Sequence, residues 1–150
     1  MSEMRSIVVE RMMPYEPERV WQALTDKAAL QRWLMPNNFV AEVGHRFTFK
    51  TKPMGDWDGT VFCHVIACEP PHLLSYTWTG GSENNDGYGS VLNSTVTWTL
   101  ASVTGGTRLR MEHAGFVSPD NDFAYSAMNS GWSRIVERLE TVVAGQPAPV

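Results

Sequence analysis

MNSGWSRIVERLETVVAG, residues 128–145, is the stretch on which the fold turns. Met128, Trp132, Ile135, Leu139 and Val142 recur every three or four residues, the period of a helix with one apolar face. Gly145 and Pro147 follow as stop signals. Near its start this helix is odd, because Gly131 stands beside Trp132. Glycine inside a helix costs about 1 kcal/mol relative to alanine. The space it leaves is then the reason to keep it. The pair predicts a helix closing over a hollow, with Gly131 and Trp132 shaping the room beneath.

What lies under that helix is read upstream. VSPDND (117–122) is a helix start, with Ser118 as cap, Pro119 next and acids in the first turn. Before it the chain alternates. STVTWTLA (94–101) sets Val96, Trp98 and Leu100 one way and three threonines the other, a strand with one dry and one wet face. RLRMEHAGF (108–116) puts Leu109, Met111 and His113 inward and Arg108, Arg110 and Glu112 outward. LLSYTWT (73–79) aligns Leu74, Tyr76 and Trp78, and GHRFTFKT (44–51) aligns Phe47 and Phe49. In GTVFCHVIACEPP (59–71), unbroken alternation places His64 inward with Phe62 and Ile66, and Cys63 outward. RSIVVERMM (5–13) is one more strand. After it come two short helices: EPERVWQALTD (16–26), with Pro17 at its first position, and KAALQRWL (27–34), capped by Asp26 and ended by Pro36.

Six strands, two short helices after the first of them and one long C-terminal helix make an α+β chain. An antiparallel sheet with one wet face must bury the other. The long helix is the main element available to cover it. A helix roughly 10 Å wide does not fill a strongly curved six-stranded sheet. A gap lined by aromatic side chains is therefore expected, and such gaps hold ligands.

Composition narrows the function classes. One domain of 150 residues accommodates a proper core, and 43% apolar with 19% charged residues is ordinary for a globular protein. A net charge of −4 without a basic run argues against nucleic acid as partner. No apolar run approaches the roughly 18 residues of a membrane span. Glu10 and Arg11 interrupt the first apolar run, so no signal peptide is expected, and the expected compartment is the cytoplasm. Cys63 and Cys68 are an odd spacing apart, which predicts opposite faces and two reduced thiols.

Several motifs, taken in order, carry a resemblance: ERVWQALTD with LQRWLMP, GHRFTF, WDGTVFCHVIACEPPHLLSYTW, GGTRLRMEHAGF and GWSRIVERLE. Across residues 7–144 the chain resembles the family named after the activator of the Hsp90 ATPase (AHSA1-like), within the START-like and Bet v 1-like (SRPBCC) helix-grip superfamily. The resemblance implies a curved six-stranded antiparallel sheet wrapped around the long C-terminal helix, in a single domain spanning residues 1–150. It implies a fold more than an activity, because the superfamily includes lipid carriers, hormone receptors, aromatase/cyclase domains and chaperone activators. The eukaryotic chaperone activator carries a further N-terminal domain that these residues do not contain. Stimulation of Hsp90 is not the expected role.

The candidate site is the gap. Phe49, Tyr76, Trp78, Trp98, Met111, His113 and, by parity, His64 line its sheet side, and Met128, Gly131, Trp132 and Ile135 its helix side. His113 is the one candidate acid or base. The bland alternative is a core histidine satisfied by its neighbours. No paired carboxylates, nucleophile elbow, phosphate loop or dinucleotide fingerprint is present, and no third ligand accompanies the two histidines for a metal. Asp56 and Asp58 flank Trp57 in what reads as a turn, with a pocket lip as the alternative, and residues 79–93, TGGSENNDGYGSVLN, are expected as a mobile hairpin loop. The leading expectation is a binder of a small hydrophobic or amphipathic molecule, without cofactor or metal, as a monomer or weak dimer. The alternatives are a chaperone-associated stress-response module and a cyclase or hydrolase using the same cavity.

Overall fold

A computed structural model describes residues 3–145. Strand β1 (Glu3–Met13) is followed by helices α1 (Pro17–Thr25) and α2 (Lys27–Trp33). Five strands come next: β2 (Arg46–Lys50), β3 (Thr60–Glu69), β4 (Leu73–Gly80), β5 (Leu92–Val103) and β6 (Gly106–Ser118). Helix α3 (Asp122–Gly145) closes the chain with 24 residues. The strands form one sheet in the order β1-β6-β5-β4-β3-β2, with every neighbouring pair antiparallel. β1 sits at one edge and β2 at the other, so α1 and α2 carry the chain across between them. This is the expected α+β helix-grip arrangement. Among the described residues no helix is long and apolar enough to cross a membrane.

Local signals start the short helices as read. Pro17 occupies the first turn of α1. The Asp26 side chain accepts from the Ala29 amide at 2.9 Å to cap α2.

The start of α3 differs from expectation. Ser118 does not cap it, because β6 still pairs with β1 there, with Ser118 opposite Glu3. Asn121 holds the junction instead. Its Oδ1 accepts from the Val117 amide at 2.9 Å, and its Nδ2 donates to the Val91 carbonyl at 2.9 Å. Pro147, read as part of the stop signal, lies outside the described residues.

The core lies between the sheet's inner face and the helices. Trp132, Val136, Leu139, Val142 and Val143 of α3 press onto it. Trp98 meets Trp33 and Trp132 edge-on at 5.6 and 5.8 Å, arrangements that aromatic quadrupoles favour.

The face assignment of β3 is inverted relative to the alternation argument. Val61, Cys63 and Val65 point inward, while Phe62 and Ile66 are 57% and 47% exposed. Register decides this, since Phe47 lies opposite Cys63 and Phe49 opposite Val61, and directly opposed residues share a face. His64, opposite Arg46, therefore sits on the outer face. A bulge between Val65 and Ala67 then shifts the parity, bringing Cys68 opposite the buried Leu74. Cys63 and Cys68 thus share the inner face, contrary to the spacing argument, and both are free thiols.

Candidate ligand cavity

The N-terminal half of α3 does not touch the sheet everywhere. Between them lies a cavity of about 270 Å³. Met128, Gly131, Trp132 and Ile135 form its helix wall, and Val61 and Trp78 its sheet wall. Leu34 and Met35, following α2, close one side. Trp57 from the β2–β3 connection, Tyr88 from the β4–β5 connection and Leu92 at the start of β5 close another. Tyr88 and Phe123, both about half exposed at 46% and 52%, mark the rim. The few polar side chains in the lining are Thr51, Thr79, Ser90 and Tyr88, and no charged residue is among them.

Gly131 is part of this lining. A Cβ built there would meet nothing within 4 Å. The glycine faces open space, so any longer side chain would extend into the cavity.

Behind Trp132 lies His113, fully buried. The Trp132 indole N–H donates to His113 Nδ1 at 3.0 Å. An indole nitrogen only donates, so Nδ1 carries no proton and Nε2 carries the ring hydrogen. Nε2 then donates to Ser94 Oγ at 2.7 Å, and Ser94 donates to the Trp78 carbonyl at 2.8 Å. Every polar atom of this chain is used in one direction. Burial pushes the His113 pKa down to about 3, so the ring is neutral at pH 7. His113 does not line the cavity. It is a positioning residue that holds Trp132, one of the walls.

The structure thus divides the candidate residues. Trp78, Met128, Gly131, Trp132 and Ile135 meet in the cavity lining. Phe49, Tyr76, Trp98, Met111 and His113 are buried in the core and do not reach it. Tyr76 accepts a hydrogen bond from the Trp98 indole at 3.0 Å, and burial raises its pKa above the ordinary phenol range. His64 faces outward, away from all of them. Among the described residues no group of three His, Cys, Asp or Glu is placed to hold a metal ion.

The loop after β4 forms a wall that the pattern did not assign. Asn85 pins it: its Nδ2 donates to the carbonyls of Met54 at 2.7 Å and Tyr88 at 3.1 Å, and its Oδ1 accepts from the Asp56 amide at 3.2 Å. Asn84 donates to the Asp56 carboxylate at 2.7 Å. Two glycines make room for Asn85, since a Cβ on Gly55 or Gly89 would come within 2.7 or 2.5 Å of its side chain. Tyr88 packs edge-on against Trp57 at 5.6 Å, and Trp57 donates to the Thr60 carbonyl at 3.0 Å. The GDWDG segment is thus a turn, as its composition suggested, and Trp57 places it beside the cavity. Aromatic residues isolated in polar, glycine-rich segments, Trp57 and Tyr88, were the available signal for this wall.

Comparison with known proteins agrees with this architecture. The sequence profile described as activator of Hsp90 ATPase homolog 1-like protein matches residues 14–144. No curated protein matches the chain. Among solved structures, protein MLL2253 from Mesorhizobium loti is similar with 40% identity, 96% of this chain and 100% of that chain covered, and a TM-score of 0.83. Protein BH1534 from Bacillus halodurans is similar with 27% identity, coverage of 95% and 99%, and a TM-score of 0.75. DynU16, from the dynemicin biosynthetic locus, shares the fold at 21% identity, with 93% of this chain and 47% of that chain covered and a TM-score of 0.73. With the profile spanning most of its length and the helix-grip architecture in place, this chain belongs to the activator of Hsp90 ATPase homolog 1-like family.

Proposed function

We propose that this protein binds a small, mostly apolar molecule in the cavity between the sheet and α3. The observation that carries this reading is the apolar lining, with open space in front of Gly131. A volume of about 270 Å³ exceeds the roughly 150 Å³ that accommodates benzene in an engineered core. It lies just below the range of about 300–1,000 Å³ for small-molecule pockets. The ligand is therefore compact, on the scale of a fused bicyclic compound rather than a long lipid. Apolar burial at about 25 cal/mol per Å² drives the association against its entropic costs.

Binding rather than catalysis is favoured by the position of His113. Its two nitrogens are engaged by Trp132 and Ser94, and it does not line the cavity. A general acid or base needs hydrogen-bond reach to its substrate. None of the residues in the lining is a histidine, acid or lysine that would replace it.

Native mass spectrometry of the protein purified from its own host tests the proposal. A retained compact molecule, released on denaturation and of unchanged mass after incubation, is the expected result. Conversion of that molecule to a product would overturn the binder reading in favour of an enzyme.

A further inference from the structure

The chain has six tryptophans, and their indole N–H groups are not treated alike. Trp33 donates to the Ala23 carbonyl at 2.8 Å, Trp57 to the Thr60 carbonyl at 3.0 Å, Trp98 to the Tyr76 hydroxyl at 3.0 Å and Trp132 to His113 at 3.0 Å. Trp21 is only partly buried, so its N–H is not cut off from solvent as a buried one would be. Trp78 is 6% exposed, and among the described residues no atom accepts a hydrogen bond from its Nε1. Its ring is packed against Phe49, His113 and Trp132, with centroids 5.4, 5.5 and 5.8 Å away. It is also a wall of the cavity.

Buried donors in native proteins are almost always paired, because water has been removed from them without replacement. Trp78 lines the cavity, so an acceptor can reach it from there. A lone water there would find few of the two to four polar partners that hold buried water, given so apolar a lining. The lining also carries no charged side chain. A carboxylate or an ammonium group would be desolvated there with no counter-charge, which is costly.

We infer that the ligand is an uncharged apolar molecule bearing one hydrogen-bond acceptor, a carbonyl, ether or hydroxyl oxygen, that meets the Trp78 indole N–H. This rests on the cavity reading above and adds to it the polarity and charge of the ligand. Trp78 then gives orientation to a site that otherwise supplies only shape.

Two probes of similar size separate the ideas: indane, which has no acceptor, and 1-indanone, which has a carbonyl. Binding is followed by titration calorimetry and by the indole signals in proton–nitrogen correlation spectra, with Trp78→Phe assigning the Trp78 signal. Both probes should bind the wild type. Only 1-indanone should move the Trp78 N–H signal downfield. The preference for 1-indanone over indane should fall about three- to tenfold in Trp78→Phe, the scale of one net hydrogen bond. An equal response of the Trp78 signal to both probes, or an unchanged preference in the variant, overturns this inference and leaves the cavity reading standing. The N–H would then be satisfied by a ring face such as that of Trp132. Failure of both probes to bind overturns the two together.

Discussion

At the scale of single residues, His113 shows how a polar side chain is made inert. It receives one hydrogen bond and gives one, and its pKa is pushed down to about 3 by burial. That shift is a statement about stability. In the unfolded chain the ring titrates near 6.5. Between pH 6.5 and about 3 the unfolded state therefore holds a proton that the folded state does not, and stability rises with pH. The slope from this group approaches 1.4 kcal/mol per pH unit, or about 2 kcal/mol between pH 6.5 and 5. Urea unfolding at pH 7 and pH 5 checks it. The wild type should lose about 2 kcal/mol more over that interval than His113→Gln, which itself should be less stable at pH 7 by roughly 1–3 kcal/mol through the broken chain. Identical pH dependence in the two proteins would show that the ring is not held neutral. The inward face of His113 was legible from alternation. Its partners were not, because Ser94, Trp78 and Trp132 come from three different elements and only the register brings them together.

At the scale of elements, the helix and the loop were unequally readable. The face of α3 was written in a local period, and Trp132, Leu139 and Val142 are buried on it as expected. Gly131 stood out because it violates helix propensity, and it lies in the cavity lining with open space in front of it. The β4–β5 connection was less readable. Its polar, glycine-rich composition suggested a mobile hairpin. It also makes contacts to the turn at Met54–Trp57 through Asn85, at long range in sequence, that no local pattern encodes. Asn85 acts as a latch on the wall containing Tyr88. Asn85→Ala should speed amide exchange across residues 82–90 by about fivefold or more, the equivalent of one lost net hydrogen bond of roughly 1 kcal/mol. Global unfolding should change little, since the latch lies outside the main core. Unaltered exchange in that segment would mean that other contacts hold the wall.

At the scale of the whole molecule, the order of elements was legible because each was announced by its own signal: period, cap or turn. The β3 parity was not. An isolated strand with apolar residues on both faces does not say which is inner. The aromatic pair Phe47 and Phe49 on β2 decides it, and a bulge then shifts the remainder. The same limit applies to the candidate site. Sequence alternation identified the inner face but not which part of it is filled. Phe49, Tyr76, Trp98 and Met111 are buried in the filled part of the core, while Trp78 borders the space left near the start of α3. The fold thus spends most of its aromatic residues on a solid core and keeps one end hollow. Whether that hollow is a binding site is the central claim, and Gly131→Leu addresses it most directly. Leucine is the better helix former by nearly 1 kcal/mol, so the variant should be folded and at least as stable as the wild type. Its side chain would occupy open space inside the cavity. The affinity of an apolar fluorescent probe, measured for both proteins, should fall at least about tenfold in Gly131→Leu, more than 1.4 kcal/mol. A folded variant that binds the probe as tightly as the wild type would contradict the assignment of this cavity as the binding site.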